Sequence, residues 1–510
     1  MIHNVVKANA YFDSVTLMLF SSRLNEIEGI QQAAVMMGTD HNKELMKNSG
    51  ILNLETASKA SSNDLIIGIK AISQEVIDLA LKALNDQFEN KSKATPGSEK
   101  KTFKSFESAL KQTPDLNFAV ISIPGRYAKN EVMKCLRNNI NVLLFSDNVS
   151  IDDENELKTY AVKNQLLMMG PDCGTAIING VSLGFSNVVK HGNIGLVAAS
   201  GTGLQEVTVI IDRLGGGISQ ALGTGGRDLK EAIGGKMMLM ALEALNSDDK
   251  TEVIGMISKP PSKIVLERII KLVKTFKKPV VACFLGAESS DFDGSGVYTS
   301  ETLESAANAL FALSTGQDPE LINHETKKPN LQLPKENSGK YVRGLYTGGT
   351  LAYEAILVLK HQQIVSYSNI SSDPVYLLKD VEKSYEHTII DMGEDYFTDG
   401  MPHPMIDPRL RSERILKEVA DPETAIILLD CVLGYGSHLD PAGALVLAIN
   451  KAMSQATHPL TFIASVCGTP SDPQNRIEQE SKLRSAGVIV MDTNAQAAKL
   501  ASYLIARRLD

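Results

Sequence analysis

The sequence predicts an α/β protein of parallel sheets covered by helices on both faces. Three observations predict it. From about residue 117 to the end, short apolar β-rich runs alternate with stretches of helical period. Many of the 38 glycines fall in clusters between those runs, where strands turn tightly into helices. The rhythm also occurs twice, in residues 192–315 and again in 341–510, which reads as two homologous domains. The 510 residues, at roughly 150 per domain, predict about three domains.

Residues 1–90 read as a small α+β unit. Residues 5–12 alternate like a strand, and Asp13 is placed to cap a helix running to about residue 28. Residues 32–37 and 65–72 are further strands. Residues 74–85 carry Val76, Ile77, Leu79, Ala80 and Leu84 at near-helical spacing. That order predicts a ferredoxin-like start. Residues 87–106 are polar and Lys-rich and read as a solvated insertion, with a phosphate-contact loop as the functional alternative.

Strands are then predicted at 118–123, 142–145 and 166–169, with helices between them. In the first repeat, strands at 195–199, 218–222, 253–257 and 280–285 alternate with helices at 204–214, 229–245, 263–275 and 302–313. This is a flavodoxin-like order. Residues 316–340 are a polar linker. The second repeat follows, and both repeats close on an Ala-rich helix. The expected division is 1–170, a Rossmann-like region with its ferredoxin-like start; 171–325, one flavodoxin-like domain; and 340–510, a second.

Composition excludes several functions. Lys plus Arg is 51 against 60 Asp plus Glu, a net charge of −9, so no basic excess exists to neutralise nucleic-acid phosphates. Aromatic residues are only 5% with no Trp, which argues against stacking platforms. The five cysteines are widely spaced without a C-x-x-C, and no paired-histidine metal motif exists, so no metal site is expected. No apolar run reaches spanning length, and the default expectation is a soluble cytoplasmic protein.

The strongest motif is a doubled Gly/Thr turn that opens a helix. Ser200-Gly201-Thr202-Gly203 follows an apolar strand, and Thr347-Gly348-Gly349-Thr350 follows its counterpart. In each copy a glutamate, Glu206 or Glu354, lies four residues after the threonine. Small residues admit a ligand to the backbone, and a helix start offers open N–H groups and a positive dipole end. Two such starts facing one another could hold one anion from both sides. The bland alternative is that the glycines only tighten the turn. Gly225 and Arg227 sit in Gly223–Asp228, after the next strand, where a guanidinium could fork onto a carboxylate or phosphate. The proline-rich stretch 401–411 carries His403 and Arg409, and reads equally as a substrate contact or a rigid domain contact.

These residues carry a resemblance. Gly170-Pro171-Asp172-Cys173-Gly174, Val197–Thr202 and Gly349-Thr350-Leu351-Ala352-Tyr353-Glu354-Ala355 resemble motifs of the succinyl-CoA synthetase α subunit. The whole chain, including Asp13–Met18 and Val35–Thr39, resembles the FdrA family, whose members look like that subunit fused to a ligase-CoA domain. The fold implied is succinyl-CoA synthetase-like.

The chain departs from the synthetase pattern. Where the synthetase carries its phosphorylated histidine, residues 286–298 contain none. Where its supporting glutamate lies, this chain reads Ser258-Lys259. The glycine-rich loop that seats CoA is not visible in residues 1–120, and the ATP-grasp domain is absent. What remains suits phosphate-dependent group transfer. The family resemblance implies a subunit of oxamate carbamoyltransferase in allantoin/purine nitrogen catabolism, converting oxalurate and phosphate to oxamate and carbamoyl phosphate. It also implies partner subunits, or a homodimer. Lys259 and Arg227 are the expected catalytic contacts to substrate anions. Ser200, Gly201, Thr202, Gly203, Gly225, Gly348, Gly349 and Thr350 are expected at phosphate, with Glu206 and Glu354 orienting them. No cofactor is firmly expected, and phosphate or carbamoyl phosphate would be substrates. An acyl-CoA synthetase using CoA and nucleotide, and a non-catalytic assembly subunit, stay open as alternatives.

Overall fold

The computed structural model describes residues 1–509 except 9, 11, 13, 26, 94–102, 104, 320–338 and 399–400. The chain forms two compact units, residues 1–116 with 398–407, and residues 117–397 with 408–510.

In the first unit, strands Ile2–Lys7, Leu65–Ala71 and Ile30–Met37 form an antiparallel sheet in that spatial order. The last strand to form in sequence lies in the middle, as in a ferredoxin-like start. Strand alternation gives each face its own core. Ile67 and Ile69 pack with Leu17, Phe20, Leu24 and Ile77 of helices Ser14–Asn25 and Gln74–Lys93. Ile66 packs the other way, onto Met46, Ile51 and Ala57. The first strand begins and ends earlier than its alternation suggests, because its register is set by the run Leu65–Lys70 opposite it. The expected cap Asp13, and much of the 87–106 insertion, lie outside the described residues.

Among its described residues the second unit contains three sheets. Phe118–Ile121, Asn141–Leu144 and Met168–Met169 make a short parallel sheet. A first lobe follows with parallel strands in the order Ile218–Gly223, His191–Ala198, Val253–Ser258, Val280–Phe284, Tyr298–Thr299. That is the 2-1-3-4-5 order of a flavodoxin-like sheet. An antiparallel hairpin, Thr175–Ile178 with Val181–Gly184, extends one edge. The sequence reading omits this hairpin, although its turn Asn179-Gly180, both residues at positive φ, is a recognisable signal.

A second lobe repeats the order with Thr388–Asp391, Tyr341–Tyr346, Thr424–Val432, Thr461–Cys467 and Ile489–Met491, plus Tyr367–Ser368 outside the first of these. One expected helix is corrected. Residues 229–235 are not helical, because Gly234 and Gly235 take positive φ and the helix starts only at Lys236. All five cysteines are buried and unpaired.

Candidate functional site

Strand His191–Ala198 feeds helix Gly201–Arg213, and strand Tyr341–Tyr346 feeds helix Gly349–His361. The two helix starts meet. Ser200 Oγ and Thr350 Oγ1 are 2.7 Å apart, in hydrogen-bond contact. Ser200 Oγ also accepts from the Gly203 amide at 3.0 Å, capping its own helix. The reciprocal contact is Gly348 against Thr202, where an added β-carbon would come within 3.0 Å of the threonine side chain. A side chain at Gly348 would press on Thr202 and push the two turns apart.

The flanks of the two starts differ. In the first lobe, Ala198 is paired with Gly223 on one side and Ile257 on the other. The equivalent Tyr346 is paired with Asp391, and the strand on its other side brings Asp430 beside the turn. Asp430 is fully buried, and accepts from the amides of Thr347 at 2.9 Å and Gly348 at 2.8 Å. Its charge is met by Arg411 Nη1 at 2.6 Å. Asp391 accepts from the Gly393 amide at 2.9 Å through Oδ1, and its Oδ2 lies over Gly349, where a β-carbon would collide with it. Burial pushes the Asp391 carboxyl up to about 7, with Glu394 and Asp430 reinforcing and Lys259 opposing. The amides of Gly201 and Thr202 have no acceptor among the described residues.

Glu206 and Glu354 lie one turn down their helices and do a different job from orienting the starts. Glu354 Oε1 accepts from the Leu303 amide at 2.7 Å, at the start of the first lobe's closing helix. Its Oε2 accepts from Asn494 Nδ2 at 2.8 Å. Glu206 Oε1 accepts from the Asn494 amide at 3.2 Å, at the start of the second lobe's closing helix. Each glutamate therefore caps the closing helix of the opposite lobe. Burial pushes Glu354 up to about 7, against the hydrogen bonds it accepts from Asn494 and Leu303.

Lys259 is exposed at the end of strand Val253–Ser258, with its ammonium 5.0 Å from the Tyr353 ring centroid. Arg227 is engaged elsewhere. Its Nη2 donates to the Val149 carbonyl at 2.8 Å and meets Glu154 at 2.9 Å. Glu154 belongs to a buried network in which Lys158 Nζ also holds Asp228 at 2.9 Å and the Thr224 carbonyl at 2.9 Å. Gly225 is pressed against the Pro171 carbonyl at positive φ. Arg409 opens helix Arg409–Ala420. His403 belongs to the first unit, where its Nδ1 accepts from the Met405 amide at 3.2 Å.

The sequence offers Asp391 in the acidic turn Asp391-Met392-Gly393-Glu394-Asp395, the counterpart of Gly223–Asp228, which reads either as a solvated turn or as a metal–phosphate or ammonium site; it does not single out Asp430. A lone carboxylate in the apolar run Thr424–Val432 was the available signal. Strand Phe118–Ile121 leads through Ser122-Ile123-Pro124 into Gly125, and a β-carbon at Gly125 would meet the backbone of Asp147 and Asn148. No group of three or more His, Cys, Asp or Glu able to hold a metal exists among the described residues.

Comparison with known proteins agrees with this architecture. The protein YahF of Escherichia coli (strain K12) is 43% identical over 509 residues, covering 99% of this chain and 98% of YahF. The chain belongs to the FdrA family. In this FdrA family chain, residues 1–104 match the model "AllF, heavy metal-associated domain" and residues 345–504 match "CoA-ligase". The "Succinate--CoA ligase [ADP-forming] subunit alpha" of Aquifex aeolicus (strain VF5) is 28% identical over 190 residues. That match spans 36% of this chain and 61% of the Aquifex subunit. The apo dinucleotide-forming acetyl-coenzyme A synthetase 1 of Ca. Korarchaeum cryptofilum aligns over 80% of this chain and 88% of its own, at 16% identity and TM-score 0.33, too loose to argue from. The FdrA chain is thus related to CoA ligases. No helix among its described residues is long and apolar enough to cross a membrane.

Proposed function

We propose that this FdrA family chain is a subunit of a phosphate-dependent carbamoyl- or acyl-group transferase, with oxalurate and phosphate as the substrate pair and oxamate and carbamoyl phosphate as products. The observation that carries the reading is the Ser200–Thr350 junction of two helix starts, beside a loop, residues 286–298, that holds no histidine. Open amides at Gly201 and Thr202 suit a phosphoryl group, and residues 286–298 offer no histidine to take it covalently. Phosphate itself would attack the carbamoyl carbon, the C–N bond to oxamate would break, and the proton of the phosphate would pass to the leaving oxamate nitrogen. The protein would supply positioning and charge. Lys259 is the cation nearest this role.

The test is carbamoyl transfer from carbamoyl phosphate to oxamate by the chain reconstituted with its partner subunits. Oxalurate formation is expected, and Lys259→Ala should lower it roughly 10²-fold. Unchanged turnover in Lys259→Ala and Gly349→Val would sink the reading. A second reading, an acyl-CoA synthetase, is favoured by the CoA-ligase match over residues 345–504. Thermal stabilisation by CoA, growing with its concentration, would support it, and no shift at millimolar CoA would count against it.

A further inference from the structure

The paired helix starts look equivalent in sequence but are not equivalent in chemistry. The Gly201 start is flanked by Gly223 and Ile257 and keeps its first amides open. The Gly349 start has the carboxyls of Asp391 and Asp430 against it. Asp430 is spoken for by two amides and Arg411. Asp391 is different. It is 5% exposed, and its Oδ2 receives no hydrogen bond among the described residues. That oxygen lies over Gly349, next to the Thr350 that touches Ser200. A bare carboxylate there would repel an anion held on Gly201 and Thr202 unless a proton lay between them.

We propose that Asp391 makes this site select a phosphoryl oxyanion that still carries a proton, monohydrogen phosphate, over oxyanions that carry none. The inference rests on the anion-site reading above. A protonated phosphate oxygen donates to Asp391 Oδ2 while the remaining oxygens accept from the helix amides. Sulfate has no proton to offer, so it enters only when Asp391 itself is protonated. The charged groups acting on Asp391 are Glu394 in its own turn, Lys259 from the first lobe, and Asp430 from the adjoining strand. Asp430 is neutralised by Arg411. The carboxyl's raised titration, about 7, puts the crossover in an accessible range.

The experiment is calorimetric titration of the full chain with inorganic phosphate and with sulfate, at pH about 6, 7 and 8.5, in buffers free of both. Sulfate keeps one charge state over this range. Its affinity should fall about tenfold per pH unit above the titration of Asp391, while phosphate affinity holds. The phosphate-to-sulfate ratio should therefore rise about tenfold per unit. Asp391→Asn should bring the two anions to within about twofold at every pH. Phosphate binding that matches sulfate at pH about 8.5 in the unaltered chain would overturn the role of Asp391 and leave the anion site standing. Binding of neither anion at any pH would overturn the anion site, and this inference with it. The unaltered chain alone decides the first point, whatever the stability of the variant.

Discussion

At the scale of single residues, the site is a contest between open amides and carboxyls. Ser200 is both cap and cross-lobe contact. Ser200→Ala should cost about 1 kcal/mol, read from the denaturant midpoint. Ser200→Thr should recover most of that. Gly349→Ala drives a methyl into Asp391 Oδ2. It should weaken phosphate binding at least about tenfold, measured by calorimetry, with stability changing by less than a core truncation would. The sequence displayed the glycines and threonines because turn chemistry is local. It displayed Asp391 in an acidic turn but not against Gly349, because the carboxyl reaches that glycine across 42 positions of chain and only sheet order brings it there. Arg227 shows the opposite failure. A loop arginine suits an anion in sequence, but the fold supplies Glu154 and the Val149 carbonyl first.

At the scale of elements, buried carboxylates hold helix starts, in place of a side-chain cap at Gly349–His361 and beside the Thr302 cap at Leu303–Ser314. Helix Gly349–His361 has glycine at its cap position and no side-chain cap. Asp430 takes over, satisfying two amides of the turn before it. Asp430→Ala would strand Arg411, which is 3% exposed, without its partner. A loss of roughly 3–5 kcal/mol is expected on that ground. Asp430→Asn keeps the shape and should lose less. Glu354→Ala removes two hydrogen bonds at once and leaves the Leu303 amide uncapped in the interior. A cost of roughly 2–4 kcal/mol is expected, and one unfolding transition should shift as a whole. Strand and helix positions were largely legible, since periodicity fixes them. The break at Gly234 and Gly235 was legible in type but not in place, because either glycine could have been tolerated inside a helix.

At the scale of the molecule, titration and thiol chemistry give two measurements. Glu354 and Asp391 each titrate near 7 in the folded chain against ordinary values of 4.5 and 3.8. The folded chain therefore holds protons that the unfolded chain has released. Their stabilising contribution is full below the ordinary carboxyl range and is lost as pH rises through about 7. His387, pushed down to about 4 by burial and by Arg343, acts oppositely and gives up stability as pH falls below its ordinary 6.5. The melting temperature should thus decline from pH about 6.5 to 8, and the double variant Glu354→Gln, Asp391→Asn should flatten that decline. Cys173 and Cys431 are fully buried, with thiols pushed up to about 12 by desolvation. Together with the other three buried cysteines they should resist a thiol reagent until the chain unfolds, when all five react.

The crossed capping by Glu206 and Glu354 has the form of a twofold contact, in which each half does for the other what the other does for it. The present chain thus holds, within one polypeptide, the kind of reciprocal contact that two like subunits make across a twofold axis. Fusion removes the constraint that both halves stay identical. One half could keep open amides at its helix start while the other set carboxyls against the same ground, so that a symmetric scaffold came to present two unlike faces.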